Sequence, residues 1–293
     1  MKKFLISGFA DEICDDFESQ LKTVTSLGME YICVRSVSIE GKRQSIADTT
    51  YEEAKKYLLP LLKQYGVKVS SIGSPIGKIF TGDDEAFCRQ CAQLDTLCRI
   101  ANLFGSRYMR IFSFYIPKDK KPKECRAEVL EKLAKYIEIC DNYGIIPIHE
   151  NEKDIYGDTG ERCLDILRCF EGTFLRAAYD FANFVQCSDD PLKAYELTKP
   201  YIGYVHIKDA DASTGKNVLC GTGDGHIPEI LSDLFSSGYD GFLTMEPHLK
   251  VFASLASIEL GDGSKQIDKD VFPSGEAAYE AQYNALKGIL ESI

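Results

Sequence analysis

Positive charge is in short supply in this chain. Its 34 Lys and Arg face 45 Asp and Glu, a net charge of -11 with a pI near 5.0. The basic residues form no cluster, so the sequence offers no evident surface for nucleic acid phosphates. Long apolar runs are missing too, and none approaches the ~18 residues of a membrane span. The opening Met1-Lys2-Lys3-Phe4-Leu5-Ile6 begins like a secretory signal, but its apolar core is short, and Asp11 and Glu12 follow at once. The expected location is the cytoplasm. Cysteine is plentiful, at 11, yet it lacks a regular framework and a second pair to join Cys88-Arg89-Gln90-Cys91. These thiols read as reduced, and the CxxC as part of an amphipathic helix face. Neither a linker nor a shift in composition divides the chain, which points to one domain over 1–293. A glycine-rich phosphate loop after the first strand is also absent, Ser7-Gly8-Phe9-Ala10 standing in its place. That argues against a doubly wound nucleotide-binding sheet.

What is present is a rhythm. Short apolar runs alternate with amphipathic stretches that end in glycine: Asp15 to Leu27 before Gly28, Tyr51 to Tyr65 before Gly66, Asp84 to Phe104 before Gly105, Lys123 to Tyr143 before Gly144. The second half continues with strands at 145–149, 175–179, 202–207 and 242–245 and helices at 160–170, 190–199, 227–237 and 276–291. Eight strand–helix units in a chain of this length predict an α/β protein, a single (β/α)8 TIM barrel.

In such a barrel, chemistry gathers where the strands end. The run Ile145-Ile146-Pro147-Ile148-His149 leads into Glu150, Leu175 to Tyr179 into Asp180, Ile202 to Val205 into His206, and Phe242 to Met245 into Glu246. Three carboxylates converging on one cavity would repel one another unless a cation neutralised them. With one imidazole they suit a single divalent metal ion, Mn, Mg, Co or Zn, with positions left for substrate oxygens.

His149-Glu150-Asn151-Glu152, Tyr179-Asp180-Phe181-Ala182-Asn183, Val205-His206-Ile207-Lys208-Asp209 and Met245-Glu246-Pro247-His248 together resemble the xylose isomerase-like barrels, among them the sugar phosphate isomerases and epimerases. So do Gly73-Ser74-Pro75-Ile76-Gly77-Lys78 and Arg110-Ile111-Phe112-Ser113-Phe114, and the resemblance spans nearly the whole chain. It implies Glu150, Asp180, His206 and Glu246 as metal ligands, with Glu150 and Glu246 doubling as the acid–base pair on opposite faces of a small sugar or sugar phosphate. Proton return to the same carbon would be epimerisation, and return to its neighbour isomerisation. Dehydration of a keto-cyclitol at the same site is the alternative, and a barrel that only binds sugar a further one. The pattern is broken at two places. Ketose 3-epimerases carry a His where Asn183 stands and a Glu where Tyr156 stands. The family's nucleases need several histidines, against four here. Members often form homo-oligomers.

Other residues near the expected mouth are Arg35, Arg110 and Lys208 at strand ends, Lys78 after the third strand, and Glu152. The cations would hold a substrate phosphate or carboxylate, or pair with the site's own acids. By strand parity His149 points away from the barrel interior, and His248 shares parity with Glu246. Gly221-Thr222-Gly223-Asp224-Gly225 reads as a flexible loop over the mouth, and Pro247 to Gly275 as a lid, a surface helix or an oligomer contact.

Overall fold

The computed structural model describes residues 4–253, 255, 263–268 and 270–293. Eight parallel strands form a nearly closed ring: β1 (Leu5–Gly8), β2 (Tyr31–Val34), β3 (Lys68–Ile72), β4 (Tyr108–Ile111), β5 (Ile146–Glu150), β6 (Arg176–Asp180), β7 (Ile202–Ile207) and β8 (Phe242–Met245). Each strand from β2 to β8 pairs with the next, and β8 returns to pair with β1. The seam between β1 and β2 is joined by a single parallel bridge from Phe9 to Cys33. The fold is the expected (β/α)8 barrel.

The outer helices are α1 (Phe17–Ser26), α2 (Leu59–Tyr65, running on from Tyr51–Glu53 through a π turn at Ala54–Leu58), α3 (Asp84–Phe104), α4 (Pro122–Asp141), α5 (Gly160–Cys169), α6 (Phe181–Gln186), α7 (Pro191–Thr198), α8 (Ile227–Ser236) and α9 (Gly275–Ser292). Their ends follow local chemistry. Thr50 and Glu53 form a capping box ahead of α2. Gly66 and Gly105 close α2 and α3 in the left-handed conformation, with φ of 65° and 72°.

Side-chain alternation along the strands separates two cores. One fills the layer between strands and helices. The other, inside the barrel, packs Ile148, Ala178 and Tyr204 with Tyr108, Ile146 and Phe242. Beside it the hydroxyls of Ser70, Ser71 and Thr244 meet Tyr204 Oη at 2.6–2.9 Å. This plug closes the interior, and the functional groups lie at the C-terminal ends of the strands.

The structure contains elements beyond the eight strand–helix units. Ser36–Ile39 and Lys42–Ser45 form a hairpin turned by Glu40 and Gly41, both at positive φ. Asp209–Ala210 pairs with Asn217–Val218, and α6 begins directly after Asp180. Of the long connection from Pro247 to Gly275, residues 254, 256–262 and 269 fall outside the described residues. In the described parts, Phe252, Leu255 and Ile267 pack together, and Lys153 Nζ donates to Gln266 Oε1 at 3.0 Å. Among the described residues no helix is long and apolar enough to cross a membrane. A cavity of about 680 Å³ with a mostly apolar lining that includes Phe4, Ile6, Phe235, Tyr283 and Leu290 lies away from the strands' C-terminal ends.

Candidate metal and active site

Four neighbouring strands bring the expected quartet together. Ligand atoms of Glu150, Asp180, His206 and Glu246 all lie within 4.8 Å of one another, and all four residues are buried. Register explains the convergence. Asp180 and Thr244 sit level with His206, and Glu246, one residue past the end of β8, shares Thr244's inward parity. Asp180 has two tasks. Its Oδ1 accepts the Asn183 amide and caps α6, while Oδ2 faces the cluster. His206 Nδ1 lies 2.8 Å from Glu150 Oε1 and 3.6 Å from Glu246 Oε2.

Around the quartet is a second ring of charge. Arg35 reaches Glu246 Oε1 at 2.6 Å, Asp11 Oδ2 at 2.9 Å and Glu12 Oε1 at 3.2 Å. Arg110 lies 3.0 Å from Glu150 Oε2 and 3.4 Å from Glu246 Oε1, and donates to the carbonyls of Gly73 and Ser74. Lys208 stands 3.2 Å from Asp180 Oδ2 and 3.7 Å from Glu246 Oε2. Lys78, partly exposed, meets Glu152 at 3.0 Å. All four cations reach this end of the barrel, each against a carboxylate.

Apolar rings hold this arrangement in place. The Phe9 ring lies 4.4 Å from the Arg35 guanidinium and 4.9 Å from that of Arg110, and meets the His206 ring edge-on at 5.2 Å. Phe252 covers Arg35 at 5.0 Å, and Phe112 covers Arg110 at 5.0 Å. A cleft of about 170 Å³ opens beside Arg35, Gly73, Lys78 and Arg110.

The electrostatics fit a cation. Asp180 Oδ2 and Glu246 Oε2 are buried yet accept no hydrogen bond. Burial, with help from Glu150 and Glu246, lifts Asp180 to about 7 against the pull of Lys208 and His206. Burial likewise dominates at Glu12 and raises it to about 8, although Arg35 opposes the shift. These carboxylates are crowded beyond what the resident cations neutralise. Glu246 differs: burial alone would raise it, but Lys208, His248, Arg110 and Arg35 together hold it well below the usual carboxylate range. At Glu152 burial is likewise overcome, here by Lys78, Lys153 and Lys208, which bring it down to about 2. Three acidic oxygen donors and one imidazole are the chemistry of a divalent ion such as Mn, Mg, Co or Zn.

Among the neighbours, Asn151 carried little signal in the sequence. Asn151 ties β5 to β6 side by side, accepting the Asp180 amide and donating to the Asp180 carbonyl, both at 3.0 Å. Asn183 is buried beside it and donates to the Asn151 carbonyl at 2.7 Å. His149 is buried in the strand–helix layer, its ring close to Gly157. Burial lowers it to about 4. His248 is buried, with Nε2 3.4 Å from Glu12 and 3.7 Å from Glu246. The glycine loop after β7 has its own occupant. Asp209 Oδ1 accepts the Ala210 and Gly225 amides, and Oδ2 accepts those of Gly221 and Gly223, all at 2.9–3.0 Å.

No curated protein matches the chain by sequence. Among solved structures, the IOLI protein with a bound zinc atom is 13% identical with a TM-score of 0.75, over 99% of both chains. D-allulose 3-epimerase from Methylomonas sp. is 16% identical with a TM-score of 0.73, over 100% of this chain and 99% of that one. A barrel protein from Mycobacterium smegmatis in complex with magnesium is 15% identical with a TM-score of 0.69, over 98% and 97%. At these identities the likeness is one of fold. The family described as xylose isomerase-like TIM barrel matches residues 22–265, most of the chain, and this protein therefore belongs to it.

Proposed function

We propose that this protein is a divalent-metal-dependent isomerase or epimerase of a small polyhydroxy carbonyl compound. The observation that carries the reading is the convergence of Glu150, Asp180, His206 and Glu246 within 4.8 Å at the C-terminal ends of four adjacent strands. Those four residues would hold the ion. Bound there, it would supply Lewis acidity toward a carbonyl oxygen and a neighbouring hydroxyl, easing removal of the proton between them.

The chain's own groups supply the rest. Glu246 is ionised at neutral pH, the form a base requires, and Arg35 and Arg110 fix its Oε1 so that Oε2 faces the cluster. Glu150, tied by Arg110 and His206, is the other half of the acid–base pair. One carboxylate takes the proton. The second returns one to the opposite face of the same carbon or to its neighbour. Lys208, next to Asp180 and Glu246, would steady the negative charge that grows on substrate oxygens. Arg35, Arg110, Lys78, Asn183 and Glu152 would shape the substrate's surroundings, each through the contacts described above. The likeness to structural neighbours that include a D-allulose 3-epimerase supports this class.

Solvent-proton exchange provides the test. In D₂O with Mn²⁺, a panel of ketoses and inososes is expected to yield one substrate that gains deuterium at the carbon beside its carbonyl and converts to an isomer of equal mass. Glu150→Gln and Glu246→Gln should each lower the rate by about 10²-fold or more. A product lighter by one water would move the site to dehydration. Binding without exchange in any of the panel would reduce it to a sugar-binding barrel.

A further inference from the structure

Among the described residues, two places in this barrel have the groups to take a phosphate, and the chain fills both with its own carboxylates. The first is the set of cations at the mouth. Arg35 is bonded to Asp11, Glu12 and Glu246, Arg110 to Glu150 and Glu246, and Lys208 lies against Asp180 and Glu246. Lys78 is engaged by Glu152. Neither arginine is placed to turn outward, because each guanidinium lies against two aromatic rings within 5.0 Å. Six buried carboxylates, Asp11, Glu12, Glu150, Glu152, Asp180 and Glu246, outnumber the three buried cations Arg35, Arg110 and Lys208. A phosphate dianion entering here would have to break standing ion pairs and leave their buried carboxylates without those cations.

The second place is the loop after β7. Barrels of this architecture often bind phosphate through backbone amides in the loops after the seventh and eighth strands. Here the amides of Gly221, Gly223 and Gly225 converge as such a site requires, but they converge on the fully buried Asp209 carboxylate. The fit is close: a Cβ on Gly223 or Gly225 would stand 2.6 or 2.7 Å from Asp209 Oδ1. The anion position exists, and an internal anion holds it.

We infer that the substrate is an uncharged polyhydroxy carbonyl compound rather than a phosphate ester. This rests on the isomerase or epimerase reading and narrows it. The cleft of about 170 Å³ beside Arg35 and Arg110 is small and walled by paired charges. It offers hydroxyl-sized hydrogen-bond partners rather than an unpaired cation.

The experiment compares a sugar with its own ester. Full-length protein supplied with Mn²⁺ is titrated calorimetrically with D-fructose and with D-fructose 6-phosphate at matched ionic strength. The protein as purified, before metal is added, is titrated with inorganic phosphate. The expected result is binding of the ester at least about tenfold weaker than that of the parent sugar, with no saturable phosphate binding up to about 10 mM. Tighter binding of the ester overturns the inference. So does saturable phosphate binding in that range, and this arm decides the matter even if neither sugar binds. Failure of the isomerase reading looks different: no neutral sugar exchanges a proton, whatever phosphate does.

Discussion

Replacing Arg35 with leucine removes one buried cation from three carboxylates at 2.6, 2.9 and 3.2 Å. With an effective dielectric constant of about 20, each contact is worth about 5–6 kcal/mol of gross attraction. Desolvation of the charges offsets most of that. What truncation exposes is the cost of leaving the partners buried and uncompensated, about 3–5 kcal/mol. Leucine keeps the contacts with Phe9 and Phe252 in part, so the loss is chiefly electrostatic. Arg35→Leu should therefore lower the free energy of unfolding in urea by about 3–5 kcal/mol at pH 7, and the melting temperature by about 5–8 °C. Far-UV circular dichroism is the suitable probe, because the chain has no tryptophan. The deficit should shrink in acid. Glu246 is held below its ordinary 4.5, so the stability it gains from its cations is present above that pH and fades as pH falls through its folded value. Adding Asp11→Asn to Arg35→Leu should recover part of the loss, because it removes one of the carboxylates that Arg35 faces. An Arg35→Leu protein as stable as wild type at pH 7, with no pH dependence in the difference, would refute the buried charge network.

Two further predictions concern the supporting residues. His149, buried and lowered from 6.5 to about 4, stabilises the folded chain above pH 6.5 by staying neutral. That contribution, about 3 kcal/mol, is lost as pH falls from 6.5 toward 4. His149→Gln should flatten the acid side of a stability–pH curve measured by urea midpoints, and an unchanged slope would contradict the assignment. Asn151→Ala deletes the two 3.0 Å hydrogen bonds that fix Asp180 against β5. It should cost about 2–3 kcal/mol and weaken divalent-ion binding severalfold by titration, although Asn151 has no place in the ligand set.

The barrel and its quartet were legible in the sequence because both follow from local pattern. Apolar runs of strand length alternate with amphipathic helices, and each of four runs breaks off at a Glu, Asp or His. Parity along the strand likewise placed His149 outside the interior and Lys208 within. What stayed hidden depends on contacts between distant segments. Asn151 acts through backbone 29 positions away, and Phe9 matters because β1 closes against β8 beneath two arginines that arrive from β2 and β4. The hairpin at 36–45 turns on Glu40-Gly41, which lacks the usual Asn or Asp before glycine. The glycine loop after β7 reads as flexible from composition, and only the placement of Asp209 reveals that it is clamped.

The central claim is that Glu150, Asp180, His206 and Glu246 form one metal site. Metal analysis of the wild-type protein beside Glu150→Gln and His206→Ala, after exposure to Mn²⁺ and gel filtration, tests it most directly. The account predicts about one divalent ion per chain in wild type and a loss of tenfold or more in affinity in both variants. Equal metal content in all three proteins, whether none or one, would contradict it.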